Sequence, residues 1–551
     1  MDTVEDLFRR LEQLNEIGAA LSQEKNIDRL LEKILDAAKA ITRADAGTLY
    51  QLEESDEGQR LKFAIMRNET LNIAMGGTTG IDIPLYPLHL IGKDGKPNNR
   101  MVACYAALTG KTVNIPDAYI AEGFDFSGTR NIDKKTGYRS KSFLTVPMRN
   151  HEGEIIGVLQ LINSKDPETG EIVEFSNADQ RLAESLASQA AIALTNRDLI
   201  NQLEELFESF IRLINKAIDE KSEYTGGHCK RVPELTMMLA DAVNDTSDGP
   251  LRDFTMNEKD RHELHIAGLL HDCGKVTTPV HVVDKATKLQ TIFDRISLVD
   301  TRFEVLKRDA EIEALKRSLE LARRRDLDVA EASRKSAESD QGLREKLRQL
   351  EEDREFLRRC NAGGESMSPE AQARVRQIGA AYKWLDASGR TAHFLTEDEV
   401  ENLSISRGTL TAKERETINY HIKATIDMLD ALPWPKHLSN VPEYAGGHHE
   451  RMDGKGYPKG LTREQMSVQA RVMGIADIFE ALTAKDRPYK SGKTLSESLK
   501  ILGNFKLNGH IDPDLFDVFV RKKVYLRYAE QFLDPDQIDK VDESRIPGYS
   551  P

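Results

Sequence analysis

The residues best able to do chemistry are His271 and Asp272, in the run His271-Asp272-Cys273-Gly274-Lys275. They follow Leu264 to Leu270, a stretch that reads as a buried helix. An imidazole offers a metal one nitrogen, and the adjacent carboxylate has two oxygens with which to bridge two ions. A second concentration of donors is His448-His449-Glu450, which opens the run HHERMDGKGYP ending at Pro458. Loop histidines are ordinarily solvated and unpatterned, so two neighbours and an acid in a glycine-rich loop point to binding. His228 upstream and Asp477 downstream add an imidazole and a carboxylate. His262 and His265 share the helix of His271 but read as surface or supporting groups, and Cys229 and Cys273 read as small packing residues rather than thiolate ligands.

Those residues need elements to hold them. All but two of the 13 histidines lie after Thr225, in a region that reads as helical to the C-terminus. It is interrupted from about 285 to 360 by a stretch nearly free of Gly and Pro and dense in charge, with seam positions Ile292, Ile296, Val299, Phe303, Leu306 and Ala310. That pattern predicts a coiled coil, a turn at the polar break Ser336 to Gly342, a second arm carrying Leu343, Leu347, Leu350 and Leu357, and a further helix from Pro369 to Leu385. Upstream, residues 1 to about 45 read as helical, with Leu30, Leu31, Ile34, Leu35 and Ala38 on one face. Short runs then read as strands: Thr48 to Leu52, Leu61 to Met66, Thr112 to Ile115, Ser142 to Met148 and Ile155 to Ile162. Asn177 is expected to cap a helix from Ala178 that continues through Leu199, Leu203, Leu206, Phe210, Leu213 and Ala217. The alternating four and three spacing of that series predicts a seam covered by a partner helix, in a parallel dimer or on the chain's own downstream domain. Arg323 to Arg325 reads as a solvated helix face.

With 551 residues the chain has room for three or four folded units at about 100 to 200 residues each. Hydrophobic residues are 39%, and the 36 glycines bring the total near the usual ~45–50%, which excludes wholesale disorder. The net charge of -14 makes DNA a poor partner, so any anionic ligand must meet a local basic pocket. Four dispersed cysteines without CxxC spacing suit a reducing compartment and exclude zinc-finger readings. The N-terminal Met1 to Arg10 is acidic and amphipathic, and no run approaches the ~18 apolar residues of a membrane span, so a cytoplasmic protein is expected.

The order His228, His271-Asp272, Asp477 resembles that of the HD phosphohydrolase superfamily, and HHERMDGKGYP matches the HHExxDGxGYP pattern of HD-GYP phosphodiesterases. Asp486-Arg487-Pro488-Tyr489-Lys490 matches the same family, with one extra residue separating it from Asp477. The resemblance covers about 213–525 apart from the insertion. It implies an all-α catalytic domain that hydrolyses cyclic di-GMP to pGpG, and to GMP if the second diester is also cut. It also implies two divalent ions, iron or manganese ahead of zinc. One would take His228, His271, Asp272 and Asp477, and the other Asp272, His421, His448 and His449, with Asp272 bridging. Lys275, Arg487 and Lys490 would meet substrate phosphate, and Tyr457 would stack on or hydrogen-bond the ligand. Some family members hold a third metal on a glutamate four residues before the first histidine; Tyr224 stands there, which favours two.

The first domain resembles a GAF domain, an α+β fold with an antiparallel sheet and flanking helices. The carrying residues are Ala106 to Lys111, Val113 to Ala118, Leu144 to Met148 and Gly157 to Asn163. Asn163, Lys165, Phe175 and Asp179 partly echo the NKFDE pattern of cyclic-nucleotide GAF domains, with Ser164 intervening and Gln180 in place of the final acid. A cyclic-nucleotide ligand and a ligand-free dimerisation module both stay open. The expected layout is a GAF domain over 1–196, a coiled-coil signalling helix over 197–220, HD-GYP sequence over 221–284, an inserted helical hairpin over 285–386, and the remaining HD-GYP sequence and tail over 387–551. Two functions of different class follow: a GAF-regulated cyclic di-GMP phosphodiesterase, or a catalytically silent cyclic di-GMP receptor that contacts signalling proteins through its GYP surface. Retention of every expected ligand favours the enzyme. Cyclic GMP-AMP is the main substrate alternative, and the insertion is expected to serve docking or dimerisation.

Overall fold

The computed structural model describes residues 4–221, 227–324, 329–364, 366–386, 388–485 and 492–550. The chain divides into two compact units, Met1–Phe207 and Glu208–Pro551.

The first unit is built on an antiparallel sheet of eight strands: β1 Ala44–Ser55, β2 Gly58–Asn68, β3 Ile73–Gly76, β4 Leu88–His89, β5 Val113–Ile115, β6 Phe143–Arg149, β7 Ile155–Lys165 and β8 Ile172–Val173. The spatial order is β3-β2-β1-β7-β6-β5, with β4 on β2 and β8 on β7. One face is covered by the helix Ile27–Thr42 and the start of the helix Asn177–Lys221. Leu30, Ile34, Leu35 and Ile41 meet Leu144, Val146, Leu159 and Leu161, with Leu182, Leu186 and Ala190 completing the core. Burying one stripe of each helix on one sheet face is what the period of 3.6 against 2 demands. The N-terminal helical stretch is two helices, Val4–Gln23 and Ile27–Thr42, because Asn26 caps the second by accepting from Arg29 N. Ser176, rather than Asn177, caps the long helix: its hydroxyl accepts from Asp179 N at 3.1 Å while the Asp179 carboxylate accepts from Ser176 N at 2.9 Å. That reciprocal box sets the start one residue early.

The residues echoing NKFDE are structural. Asn163, at φ 60°, accepts from Lys141 N at 2.7 Å and Ser142 N at 3.2 Å. Lys165 pairs with buried Asp45, Phe175 lies in the core, and Asp179 pairs with Arg10. The other sheet face borders a cavity of about 470 Å³, lined among others by Tyr50, Phe63, Met75, Phe126, Tyr138 and Gln160.

In the second unit the helices His228–Asn244, Glu258–Leu270, Ala412–Asp430, Val441–Gly446 and Val468–Thr483 pack around one centre. Their starts are written locally. Asn257 with Asp260 and Thr411 with Glu414 form capping boxes, and Ser467 accepts from Ala470 N. Between Glu258–Leu270 and Ala412–Asp430 the chain runs out along Ile296–Arg323 and back along Val329–Asn361. The turn expected at Ser336 to Gly342 is not there, because that stretch is helical, and residues 325–328 between the two arms lie outside the described residues. Gly342 has open space where a side chain would be, so a single exposed glycine among strong helix formers is tolerated. Val299, Phe303 and Ala310 are buried as the seam requires, whereas Ile292 is 94% exposed and lies ahead of the helix. The helix from Pro369 ends at Ala381, and Lys383–Leu385 pairs instead with Thr391–His393 as a small β-hairpin. The root of the insertion has its own core, in which Val299, Phe303, Leu350 and Leu357 meet Val375, Phe394 and Leu403.

The helix Asn177–Lys221 is continuous. Leu199, Leu203, Leu206, Phe210 and Leu213 are each 46% to 64% exposed on it. No helix among the described residues is long and apolar enough to cross a membrane.

Candidate metal centre

The helix Glu258–Leu270 runs directly into His271, whose Nδ1 donates to Gly268 O at 2.7 Å. A carbonyl only accepts, so Nδ1 carries a proton, and Nε2 is the nitrogen turned toward the other donors. That Nε2 lies 3.2 Å from His228 Nε2 and 3.1 Å from Asp272 Oδ2. His228, the first residue of its helix, places Nε2 3.0 Å from Asp272 Oδ2 and 3.3 Å from Asp477 Oδ1. Two imidazoles and two carboxylates thus converge from three helices.

The other carboxylate oxygen of Asp272 faces a second group. His421 Nε2 is 3.3 Å from Asp272 Oδ1 and 3.2 Å from His449 Nε2. Within its own turn, His421 donates Nδ1–H to Ile418 O at 2.5 Å. His448 donates Nδ1–H to Ala445 O at 2.6 Å, leaving its buried Nε2 without a hydrogen-bond partner among the described residues; Asp272 Oδ1 is likewise unpartnered. His421, His448 and His449 form one metal-competent cluster, and His228, His271 and Asp272 the other.

Buried lone pairs facing one another at 3.2 Å repel unless a cation lies between them, so the donor set fits two metal ions. The charges agree. Burial alone would raise the Asp272 carboxyl, but the Lys275 ammonium and the surrounding imidazoles hold it well below the usual range. Asp477 is depressed in the same way against burial, chiefly by His228. Burial pushes His449 down to about 4, and burial with neighbouring His449 and His271 holds His448 well below its ordinary value, so both rings are neutral ligands at pH 7. For His228, burial and Lys275 oppose charge, yet the Glu480, Asp272 and Asp477 carboxylates raise its pKa. Burial raises the Cys273 thiol to about 11 and that of Cys229 further, which keeps both as packing groups rather than thiolate ligands.

Close packing brings the two donor groups together. Gly274 N donates to Thr425 Oγ1 at 2.9 Å, docking the HD turn on the helix Ala412–Asp430 that carries His421. In the second donor loop Glu450 is no ligand: buried, it accepts from Lys459 N at 2.7 Å and Leu461 N at 2.9 Å and fixes the chain after Pro458. A Cβ on Gly456 would lie 2.4 Å from Arg451 N, so only glycine lets the loop fold back there. Tyr457 stacks on His449, ring centroids 4.9 Å apart at 18°, and burial pushes its phenol up to about 12. Lys275 Nζ donates to Asp272 Oδ2 at 2.5 Å; burial opposes its charge, but Asp272 and Asp477 hold its pKa above the ordinary value. Arg487 and Lys490 lie outside the described residues.

Sequence reasoning missed Glu480 and Arg231. Glu480 stands one helical turn after Asp477, is 1% exposed and receives His228 Nδ1. The available signal was its i+3 spacing from Asp477.

An HD domain is matched over residues 225–359 and again over 396–515, and a GAF domain over 26–194. The chain is 45% identical over 83 residues to a 3'3'-cGAMP-specific phosphodiesterase of Vibrio cholerae, covering 15% of this chain and 19% of that protein. It is 46% identical over 74 residues to a cyclic di-GMP phosphodiesterase of Pseudomonas aeruginosa, covering 13% and 17%. A dual 3',5'-cyclic-AMP and -GMP phosphodiesterase of Takifugu rubripes is 29% identical over 213 residues, covering 38% and 21%. The chain thus spans at most about a fifth of the length of each of these relatives. His228, His271 and Asp272 fall in the first HD match and His421, His448, His449 and Asp477 in the second, so the chain carries a GAF domain followed by HD-domain sequence that contains every ligand of the candidate centre.

Proposed function

We propose that the chain is a metal-dependent phosphodiesterase that hydrolyses cyclic di-GMP to pGpG and is regulated through its GAF domain. The observation that carries this reading is Asp272, whose two oxygens face two separate sets of imidazole nitrogens. Two divalent ions, iron or manganese by the nitrogen and oxygen donors, would be held by His228, His271, Asp272 and Asp477 and by Asp272, His421, His448 and His449. Bound there, they supply Lewis acidity to the phosphodiester and to its attacking water. The chain's own groups do the rest. Asp272 offers one oxygen to each set and keeps them adjacent. Lys275 keeps a fixed positive charge beside that bridge, where phosphate charge must be met in a protein of net charge -14. Tyr457 holds the His449 ring by stacking, while Arg487 and Lys490 are proposed to bind the second phosphate. The similarity to proteins named for cyclic di-GMP and for 3'3'-cGAMP supports a cyclic dinucleotide.

For regulation, the apolar lining of the GAF cavity favours an uncharged ligand over a cyclic nucleotide. Arg67, on its wall, already donates to Glu32 at 2.9 Å and to Met75 O at 2.8 Å, and Asp133 brings negative charge. A second copy of the chain is proposed to cover the Leu199 to Ala217 stripe, and the inserted hairpin to dock partners.

Manganese-loaded protein incubated with cyclic di-GMP, and separately with 3'3'-cGAMP, tests the activity by chromatography of pGpG and GMP. Turnover of the first is expected. Binding of cyclic di-GMP without turnover would replace the enzyme by a silent receptor.

A further inference from the structure

His271, His421 and His448 each donate Nδ1–H to the carbonyl three residues earlier, Gly268, Ile418 and Ala445. The preceding turn of backbone therefore orients each ring and leaves Nε2 free. His228 cannot use that device, because it opens its helix and no turn of that helix precedes it. Its Nδ1 meets instead a side chain from a different helix, Glu480 Oε2, at 2.5 Å. The other oxygen of Glu480 accepts from Arg231 Nε at 2.7 Å and Nη2 at 2.6 Å. Arg231 lies one turn after His228, and Glu480 one turn after Asp477, so His228 and Arg231 on one helix face Asp477 and Glu480 on the other. A buried ion pair of this kind adds little to stability compared with packed apolar side chains, which gives it no evident purpose in the fold alone.

We propose that Glu480 is a positioning residue for the metal set built on His228. Its carboxylate, braced by Arg231, fixes the imidazole with Nε2 aimed at Asp272 and Asp477. A carboxylate accepting from the distal nitrogen also makes the imidazole a stronger donor. The role belongs to one of the two metal positions only, since His271, His421 and His448 take their orientation from backbone and His449 stacks on Tyr457. The inference rests on the metal-centre reading above.

The test is metal stoichiometry and manganese titration of the full chain, wild type against Glu480→Ala, Glu480→Gln and Glu480→Asp, with His449→Ala for comparison. The wild type should bind two ions. Glu480→Ala should weaken one of them about 10- to 100-fold and leave the other at wild-type affinity. Combined with His449→Ala it should weaken both. Glu480→Asp, which keeps the charge, should recover part of the lost affinity. If Glu480→Ala fails to fold, the isosteric Glu480→Gln carries the test, and it should show the same one-site weakening. Two ions held at wild-type affinity in both variants, or equal weakening at both positions, overturns the positioning role and leaves the metal centre standing. A wild type that binds no manganese overturns both.

Discussion

Gly274 and His421 touch so closely that a Cβ built on Gly274 would lie 2.0 Å from the His421 carbonyl oxygen and 2.5 Å from Thr425 N. Neither obstacle is a flexible side-chain end, so Gly274→Ala must push the HD turn away from the helix that carries His421. Asp272 would then leave its 3.3 Å approach to His421 Nε2. Overpacking of this kind costs about 1–3 kcal/mol. We expect a lowered melting temperature together with reduced metal content. Gly342→Ala, in open space inside a helix, should instead raise stability by up to about 1 kcal/mol. Equal melting of the two variants would refute the contact.

Asp272 faces both imidazole sets, so Asp272→Ala should remove both ions whereas His449→Ala should weaken one. Metal analysis after gel filtration decides this. Two ions retained without Asp272 is incompatible with a bridge.

The donors themselves were legible, because two adjacent histidines in a glycine-rich loop and a histidine–aspartate pair ending an apolar helix have few other uses. The longer strands β1, β2, β6 and β7 were legible too, since alternation fixes which face each residue takes. What stayed hidden depends on tertiary structure. Glu480 reads as one more solvated acid until the helix of His228 packs on it. Glu450 beside the paired histidines invited a binding role, yet it holds backbone. Ser336 to Gly342 looks like a break, yet polar residues and one exposed glycine are tolerated inside a helix, so that stretch stays within Val329–Asn361. Strands as short as Ile73–Gly76 carry too few residues to show a period.

The insertion divides into a root and a tip. Phe303 is fully buried against Tyr382 and Phe394, so Phe303→Ala should cost about 3–5 kcal/mol. Beyond Ala310 the first arm exposes Ile312, Leu315 and Leu319, and nothing there enters that core. Replacing residues 311–346 by a short Gly-Ser link should therefore leave metal binding intact and alter partner capture or oligomeric state. Metal loss on trimming the tip alone would make the hairpin integral to the catalytic unit.

Acid should loosen the first unit through Asp45. Burial opposes its charge, but Lys165, Tyr138 and Thr70 hold its carboxyl below the ordinary value. The folded chain then binds fewer protons than the unfolded one. Its contribution is complete above the unfolded pKa of about 4 and is lost as pH falls through the lower folded value. Hydrogen exchange across β1 should accelerate in that window for wild type. Asp45→Asn should exchange faster at neutral pH and respond less to acid. An unchanged acid response in the variant would remove Asp45 as the cause.

On the helix Asn177–Lys221, Leu199, Leu203, Leu206, Phe210 and Leu213 all lie at least 46% exposed along one edge. Ile200 at 45% and Ile214 at 39% widen that edge. Scattered exposed apolar residues need no explanation, but seven on one continuous stripe match a coiled-coil seam, and the alternating four and three spacing keeps the seam facing a partner. In a parallel pair each residue meets its own counterpart. Leu203→Glu and Phe210→Glu would then bring like charges together at the interface centre and should give monomers in sedimentation velocity. Metal content should stay unchanged, because none of the ligands lies on this helix. Glu204→Gln, which points away from the seam, should leave the oligomeric state as it was. A wild-type chain that sediments as a monomer at micromolar concentration would leave the stripe without its proposed partner and remove the dimer from the regulatory scheme.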